Sequence, residues 1–196
     1  MRTQFTQVIA GLALVLFLSG CGVQSIPQAK NDADAALAEI TNQYKRRADL
    51  VPNLVESVKG YAKHEQGTLT AVTEARAKAT SMNIDPTKAT PEQLAQFQQA
   101  QGQLSQALGR LMVVSEQYPD LKANTNFRDL QAQLEGTENR ITVARQRYIE
   151  SIKNFNNLVT VFPTSLTNSL LYHHAPMPQW GADQPTTIQD APKVTF

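Results

Sequence analysis

Apolar positions along this chain recur at spacings of three and four, the period of helices that bury one face. Leu37, Ile40, Tyr44, Arg47, Val51, Leu54, Val58 and Tyr61 form the first such seam, in a helix expected from about Lys30 to His64. Pro52 lies off that seam and is expected to bend the helix rather than end it. Leu69, Val72, Ala75 and Ala79 predict a shorter helix from Thr68 to about Met82, and Asp85-Pro86 marks a turn in the loop that follows. Thr90-Pro91-Glu92-Gln93 opens a third helix: Thr90 caps it, Pro91 suits the first helical position, and Gln93 completes a capping box. Its seam runs Leu94, Phe97, Gln101, Leu104, Leu108, Leu111, with Gln101 the one polar member, and Tyr118-Pro119 ends it. In the last helix, Thr125 to Phe162, the residues Phe127, Leu134, Ile141, Tyr148, Phe155 and Phe162 recur every seventh position.

Phase alone would allow the first two helices to run on as one through Gly60 and Gly67. Length argues for a break. At 1.5 Å per residue, Lys30–His64 spans roughly 50 Å and Thr125–Phe162 roughly 57 Å, a match for antiparallel neighbours. A continuous helix of roughly 80 Å would leave its lower third unpacked. The expected fold is therefore all-α, an antiparallel four-helix bundle of long helices over residues 30–165. Residues 166–196, with Pro176, Pro178, Pro185 and Pro192, are expected to form an extended tail that is either unpacked or laid along the bundle through Trp180, Val194 and Phe196.

The N-terminus reads differently. Arg2, the apolar run Val8–Leu18 and the small residues before Cys21 have the anatomy of a secretory signal over residues 1–20. The run is too short to span a bilayer comfortably, which takes roughly 20 residues. Leu18-Ser19-Gly20-Cys21 resembles a bacterial lipobox, which implies acylation of Cys21 (palmitate among its acyl chains) and a lipidated tether over 21–29. An ordinary signal peptide or a membrane anchor are the competing readings. Gly22 stands where an aspartate would retain a lipoprotein at the inner membrane. In a Gram-negative host this places the expectation at the inner leaflet of the outer membrane, facing the periplasm.

Cys21 is the sole cysteine, so the exported domain must hold together by packing. Lys and Arg number 18 against 17 Asp and Glu, and removing residues 1–20 takes Arg2 away and leaves the charge balanced. Such a surface exerts no global attraction on nucleic acid or acidic lipid.

Arg46–Glu65 (RRADLVPNLVESVKGYAKHE) and Tyr118–Tyr148 (YPDLKANTNFRDLQAQLEGTENRITVARQRY) resemble the hallmark segments of the LemA family, and the ending Pro192–Phe196 is similar to that family's terminus. The resemblance covers about Lys30 to Phe162 and the last five residues. It implies an antiparallel four-helix bundle and a tie to membrane organisation, as in a magnetosome-associated branch. Other family members are encoded near membrane metallopeptidases. Many members carry an uncleaved N-terminal transmembrane helix where this chain has a lipobox.

Catalytic motifs are incomplete. His64-Glu65 begins a zinc-protease signature, but Thr68 stands where the second histidine belongs. His173-His174 are adjacent, with no third ligand nearby. Asp32 and Asp34, two apart on a helix, face different ways. No metal, cofactor or catalytic residue is expected. Arg47 is the anomaly, a charge on an apolar seam. Counting along antiparallel partners brings it near Arg145 give or take two turns, with Glu138 in reach, and a structural ion pair Arg47–Glu138 that sets register is the favoured reading over an interaction site. The expected function is a non-enzymatic, lipid-anchored scaffold or accessory of the cell envelope, assembling with itself or with an envelope protein. The alternatives are a hydrolase or protease-accessory protein acting on envelope material, or a carrier of an apolar ligand in a dry cavity.

Overall fold

In the computed structural model, which describes residues 23–62 and 64–181, the seams pack as helices. Helix α1 runs Ser25–Lys59 and α2 Gln66–Ser81. Helix α3 runs Pro91–Ser115, α4 is the short Pro119–Ala123, and α5 runs Thr125–Thr160. A single turn, α6 (Thr164–Thr167), leads into a π-helical turn at Asn168–Tyr172. The chain is an all-α bundle whose frame is the antiparallel pair α1 and α5. The α2–α3 hairpin lies against it.

Local chemistry explains the boundaries. The side chain of Thr90 accepts from the amide of Gln93 while that of Gln93 accepts from the amide of Thr90, so the expected capping box starts α3. Asn124 caps α5 by accepting from the Phe127 amide. The first helix does break: α1 stops at Lys59, and the Tyr61 and Ala62 amides both turn back onto the Val58 carbonyl. Pro52 sits inside α1 and has no N–H for the carbonyl of Ala48. Arg76 of α2 uses that freed acceptor, donating from Nε to Ala48 O at 2.8 Å, so the proline's defect becomes an interhelix bond.

Both ends of the frame differ from the sequence expectation. Residues 25–29 belong to α1 rather than to a tether. Ile26 and Ala29 are fully buried against Phe155 and Val159, carrying the spacing of Ala33 and Leu37 one turn further back. At the other terminus, α5 ends at Thr160, so Phe162 falls out of the seven-residue series and is 73% exposed. Residues 166–172 of the expected tail are helical rather than extended, and the non-helical stretch begins at His173. It is clamped by two asparagines. Asn168 pairs with the backbone of His174, and Asn156 with that of Met177, each through donor and acceptor together. Of the tail residues expected to lie along the bundle, Trp180 does, packing with Met177 beside Tyr44 and Tyr148. Val194, Phe196 and the family-like terminus lie outside the described residues.

The helices are unequal. At 1.5 Å per residue α1 and α5 are each roughly 53 Å long, α3 roughly 37 Å and α2 roughly 24 Å. The hairpin therefore stops short of the end that holds Ile26 and Phe155, and the clamped segment with Tyr172 and Met177 covers that end instead. Ile26→Ala tests this packing. Deleting a buried isoleucine side chain typically costs about 2–5 kcal/mol, so urea unfolding is expected to show a loss of at least about 2 kcal/mol. A residue in a solvated tether would change stability by no more than about 0.5 kcal/mol.

Candidate functional site

The apolar interior falls into two main clusters. One is built around Val51, Leu54, Leu104 and Leu111, the other around Leu37, Ile40, Phe97 and Ile141. Between them sits Arg47, only 1% exposed. Its Nη1 donates to Ser105 Oγ at 2.7 Å and to Glu138 Oε1 at 2.9 Å. Its Nη2 donates to the Gln101 carbonyl at 2.9 Å and to Gln101 Oε1 at 2.7 Å. The guanidinium carbon lies 4.9 Å from the centre of the Tyr44 ring. Gln101 Nε2 in turn donates to Ala79 O at 3.4 Å, which brings in α2. One side chain thus joins α1, α3 and α5 directly and α2 through its partner.

The structure brings together the two residues singled out as an ion pair, but not as a wholly buried one. The Glu138 side chain is 42% exposed. It reaches in from the rim beside Thr137 and Ile141, which face the core. Three of the four acceptors around Arg47 are neutral, and the two that Gln101 supplies are the buried side of the network, while Ser105 lies at the exposed rim like Glu138. Arg46 is exposed, as its place off the seam requires. Gln101, the lone polar residue of the α3 seam, is the partner that sequence reasoning did not connect. Two polar interruptions in two facing seams were the signal available.

Around this network lies an aromatic group. Tyr44 meets Phe97 edge-on at 5.4 Å and stacks on Trp180 at 6.4 Å, while Tyr148 meets Trp180 edge-on at 5.7 Å. Burial raises the Tyr44 hydroxyl above its ordinary pKa, against the pull of Arg145 and Arg47. Tyr148 is pushed to about 12, by burial first and then by the Asp34 carboxylate.

The clefts beside the network are partly open to solvent. A groove of about 570 Å³ between α1 and the α2–α3 hairpin is lined by Thr41, Asn42, Lys45, Thr80, Asn83 and Gln101 along with apolar neighbours. A pocket of about 200 Å³ reaches Arg47 past Gln98, Arg145 and Trp180. The other residues weighed for chemistry lie apart. His64 is exposed, and Glu65 accepts from the Tyr118 hydroxyl, tying the two turns at that end of the bundle. His173 is exposed in a left-handed conformation (φ 55°), while His174 stacks on Tyr172. Asp34 pairs with Lys30 and Asp32 faces solvent. Among the described residues, no three His, Cys, Asp or Glu side chains gather as a metal site. Cys21 and Gly22 lie outside the described residues.

A long two-helix frame locked by a buried arginine, with a hairpin laid against it, defines an all-α helical bundle. Residues 36–196 match the LemA family, and the chain belongs to it. It is 29% identical to Protein LemA of Metamycoplasma hominis over 136 residues, covering 69% of this chain and 58% of that protein. It is 24% identical to the magnetosome protein MamQ of Magnetospirillum gryphiswaldense over 179 residues, covering 82% of this chain and 66% of that one. The chain thus spans about three fifths to two thirds of the length of these relatives.

The network makes a graded prediction. Arg47→Ala leaves a void and strips the buried Gln101 oxygens of their donor, so it is expected to cost about 2–4 kcal/mol in urea unfolding. Glu138→Gln keeps an acceptor at a half-exposed position and is expected to cost under about 1 kcal/mol, as is Arg46→Ala. A loss of about 3–5 kcal/mol for Glu138→Gln would instead mark a buried charge pair. A second prediction concerns alkali. Because folding raises the pKa of Tyr148 from the ordinary value of about 10 to about 12, its contribution is intact below pH 10 and lost as pH rises through 12. Tyr148→Phe should remove that part of the alkaline unfolding curve. An unchanged curve would show that other groups drive it.

Proposed function

We propose that this chain is a lipid-anchored protein of the cell envelope that acts as a non-catalytic scaffold or accessory in membrane organisation. The observation that carries the reading is the destination of its most deeply placed charge. Arg47 is spent on holding helices together, with its partners on α3 and α5. A catalytic centre needs titratable groups converging on open space. Here the groove of about 570 Å³ beside the network is lined by amides, hydroxyls and apolar groups, with Lys45 as its one charged side chain, and in the pocket of about 200 Å³ Arg47 and Glu138 are paired with each other. Membership of the LemA family and similarity to a magnetosome protein support an envelope setting. Acylation of Cys21 would supply the anchor, since two or more acyl chains hold a protein stably at a membrane. Assembly through the exposed face of α5, where Val143 and Ile149 are 45% and 42% exposed, is the mechanism this shape supports.

Two measurements test it. Cys21→Ala is expected to abolish incorporation of labelled lipid and to shift the protein out of its membrane fraction. Unchanged labelling would end the lipoprotein reading. A photo-crosslinker at Val143 or Ile149 in cells is expected to give discrete adducts with one envelope protein or a second copy. Wild-type cells and cells carrying a Cys21→Ala chain that are indistinguishable in envelope morphology, with no adduct at either position, would remove the scaffold role.

A further inference from the structure

One end of the bundle carries an apolar surface that packing among the described residues does not use. Val161, Phe162, Leu166, Leu170 and Leu171 are 55%, 73%, 56%, 67% and 59% exposed. Scattered surface hydrophobics are ordinary, but five large ones within eleven residues form a patch. Leu166 and Leu170 are four apart on consecutive helical turns, which sets them on one side. The surroundings match. No Asp, Glu, Lys or Arg occurs from Asn154 to Ala182, nor from Thr3 to Ala29, in a chain that is 18% charged. Residues 23–29 of the second stretch meet the first at this end, where Ile26 packs on Phe155 and the Tyr172 hydroxyl donates to the Val23 carbonyl at 2.6 Å. The opposite end is charged, with Lys59, His64, Glu65, Glu116, Asp120 and Lys122 in or beside its turns.

We infer that this charge-free end is seated in the bilayer that holds the anchor, with Phe162, Leu166, Leu170 and Leu171 among the acyl chains. The inference rests on the anchored reading above and adds where the bundle touches the membrane. Reach decides in its favour. Cys21 is two residues before Val23, and an extended chain covers at most about 3.6 Å per residue. A lipid on Cys21 is thus held within about 7 Å of the backbone that Tyr172 grips. The patch runs directly up to Tyr172 and has no slack by which to stand away from the surface. Seating it there takes no formal charge out of water, and charge is the costly component of membrane burial. Tyr172 sits beside it, a residue type favoured at the membrane–water boundary.

The test uses the full lipidated chain, in which acylation occupies the Cys21 thiol, so one introduced cysteine carries an environment-sensitive fluorophore. Leu166→Cys and Leu170→Cys probe the patch. Val113→Cys, 66% exposed on α3 near the charged end, is the control. Each is incorporated into phosphatidylethanolamine–phosphatidylglycerol vesicles containing brominated acyl chains, and flotation is measured separately. Expected is flotation of all three, with quenching several-fold stronger at both patch positions than at Val113. Flotation with equal, weak quenching at all positions would overturn the seating and leave the anchor standing. A blue-shifted, unquenched patch probe with crosslinked dimers would do the same, since a second copy would then cover the face. Failure to float would overturn the anchored reading and this inference with it.

Discussion

A guanidinium buried between two apolar clusters constrains everything else in this bundle. A guanidinium only donates, so its hydrogen bonds must come from whichever helices surround it, and here both terminal nitrogens find acceptors. The α1–α5 pair can satisfy it at one register, where Glu138 comes level with Arg47. The same register brings Glu39 to Arg147 at 2.9 Å. The hairpin is likewise held, because Gln101 and Ser105 of α3 must arrive at that level. Apolar seams tolerate sliding by a turn with small loss, whereas a slide here would leave a charge unpaired in the core. That is the role polar interruptions play in coiled coils, at some cost in stability.

With the hairpin fixed against the middle of the frame, its shortness has a consequence. The first turns of α1 and the last turns of α5 outrun it on one side and would expose Ile26, Phe155 and Val159. The segment after the π-helical turn covers them, and the Asn156 and Asn168 amides replace the ladder that a helix would have supplied. The two ends of the molecule are therefore built by different means. One is closed by charged turns tied through Tyr118–Glu65 and Asn124–Tyr61, the other by a charge-free strap and two consecutive helical turns.

What the sequence made legible follows this division. Period, caps and turn residues act locally, and they gave the four principal helices, the capping box at Thr90 and the break after Lys59. Arg47 stood out because a charge interrupts an apolar seam, and an antiparallel count came within reach of Glu138. The exposure of that carboxylate was not legible, since register counted to two turns cannot separate a core position from the rim one residue away. Gln101 was visible as an anomaly, but joining it to Arg47 needs the placement of α3, which no spacing within either helix encodes. Ile26 was hidden among polar neighbours and Pro27, and the helical turns at 164–172 among Ser, Thr and Asn, residues that favour loops by propensity. Tertiary packing decided both.

On the anchored reading, the rigidity gained at Arg47 acquires a use. A flexible linker would let a tethered domain sample every orientation, and a stiff frame would then confer nothing. Helix α1 instead begins at Ser25, four residues after Cys21. A short connection plus a second membrane contact fixes a direction as well as a position. A frame roughly 53 Å long held by two points at one end presents its charged turns at a set height above the bilayer. Register then matters beyond stability, because a slip of one turn would shift that end by about 5.4 Å and rotate the exposed faces of α1 and α5 relative to each other. The internal charge that looks wasteful as stabilisation is the part that makes such a geometry reproducible from molecule to molecule.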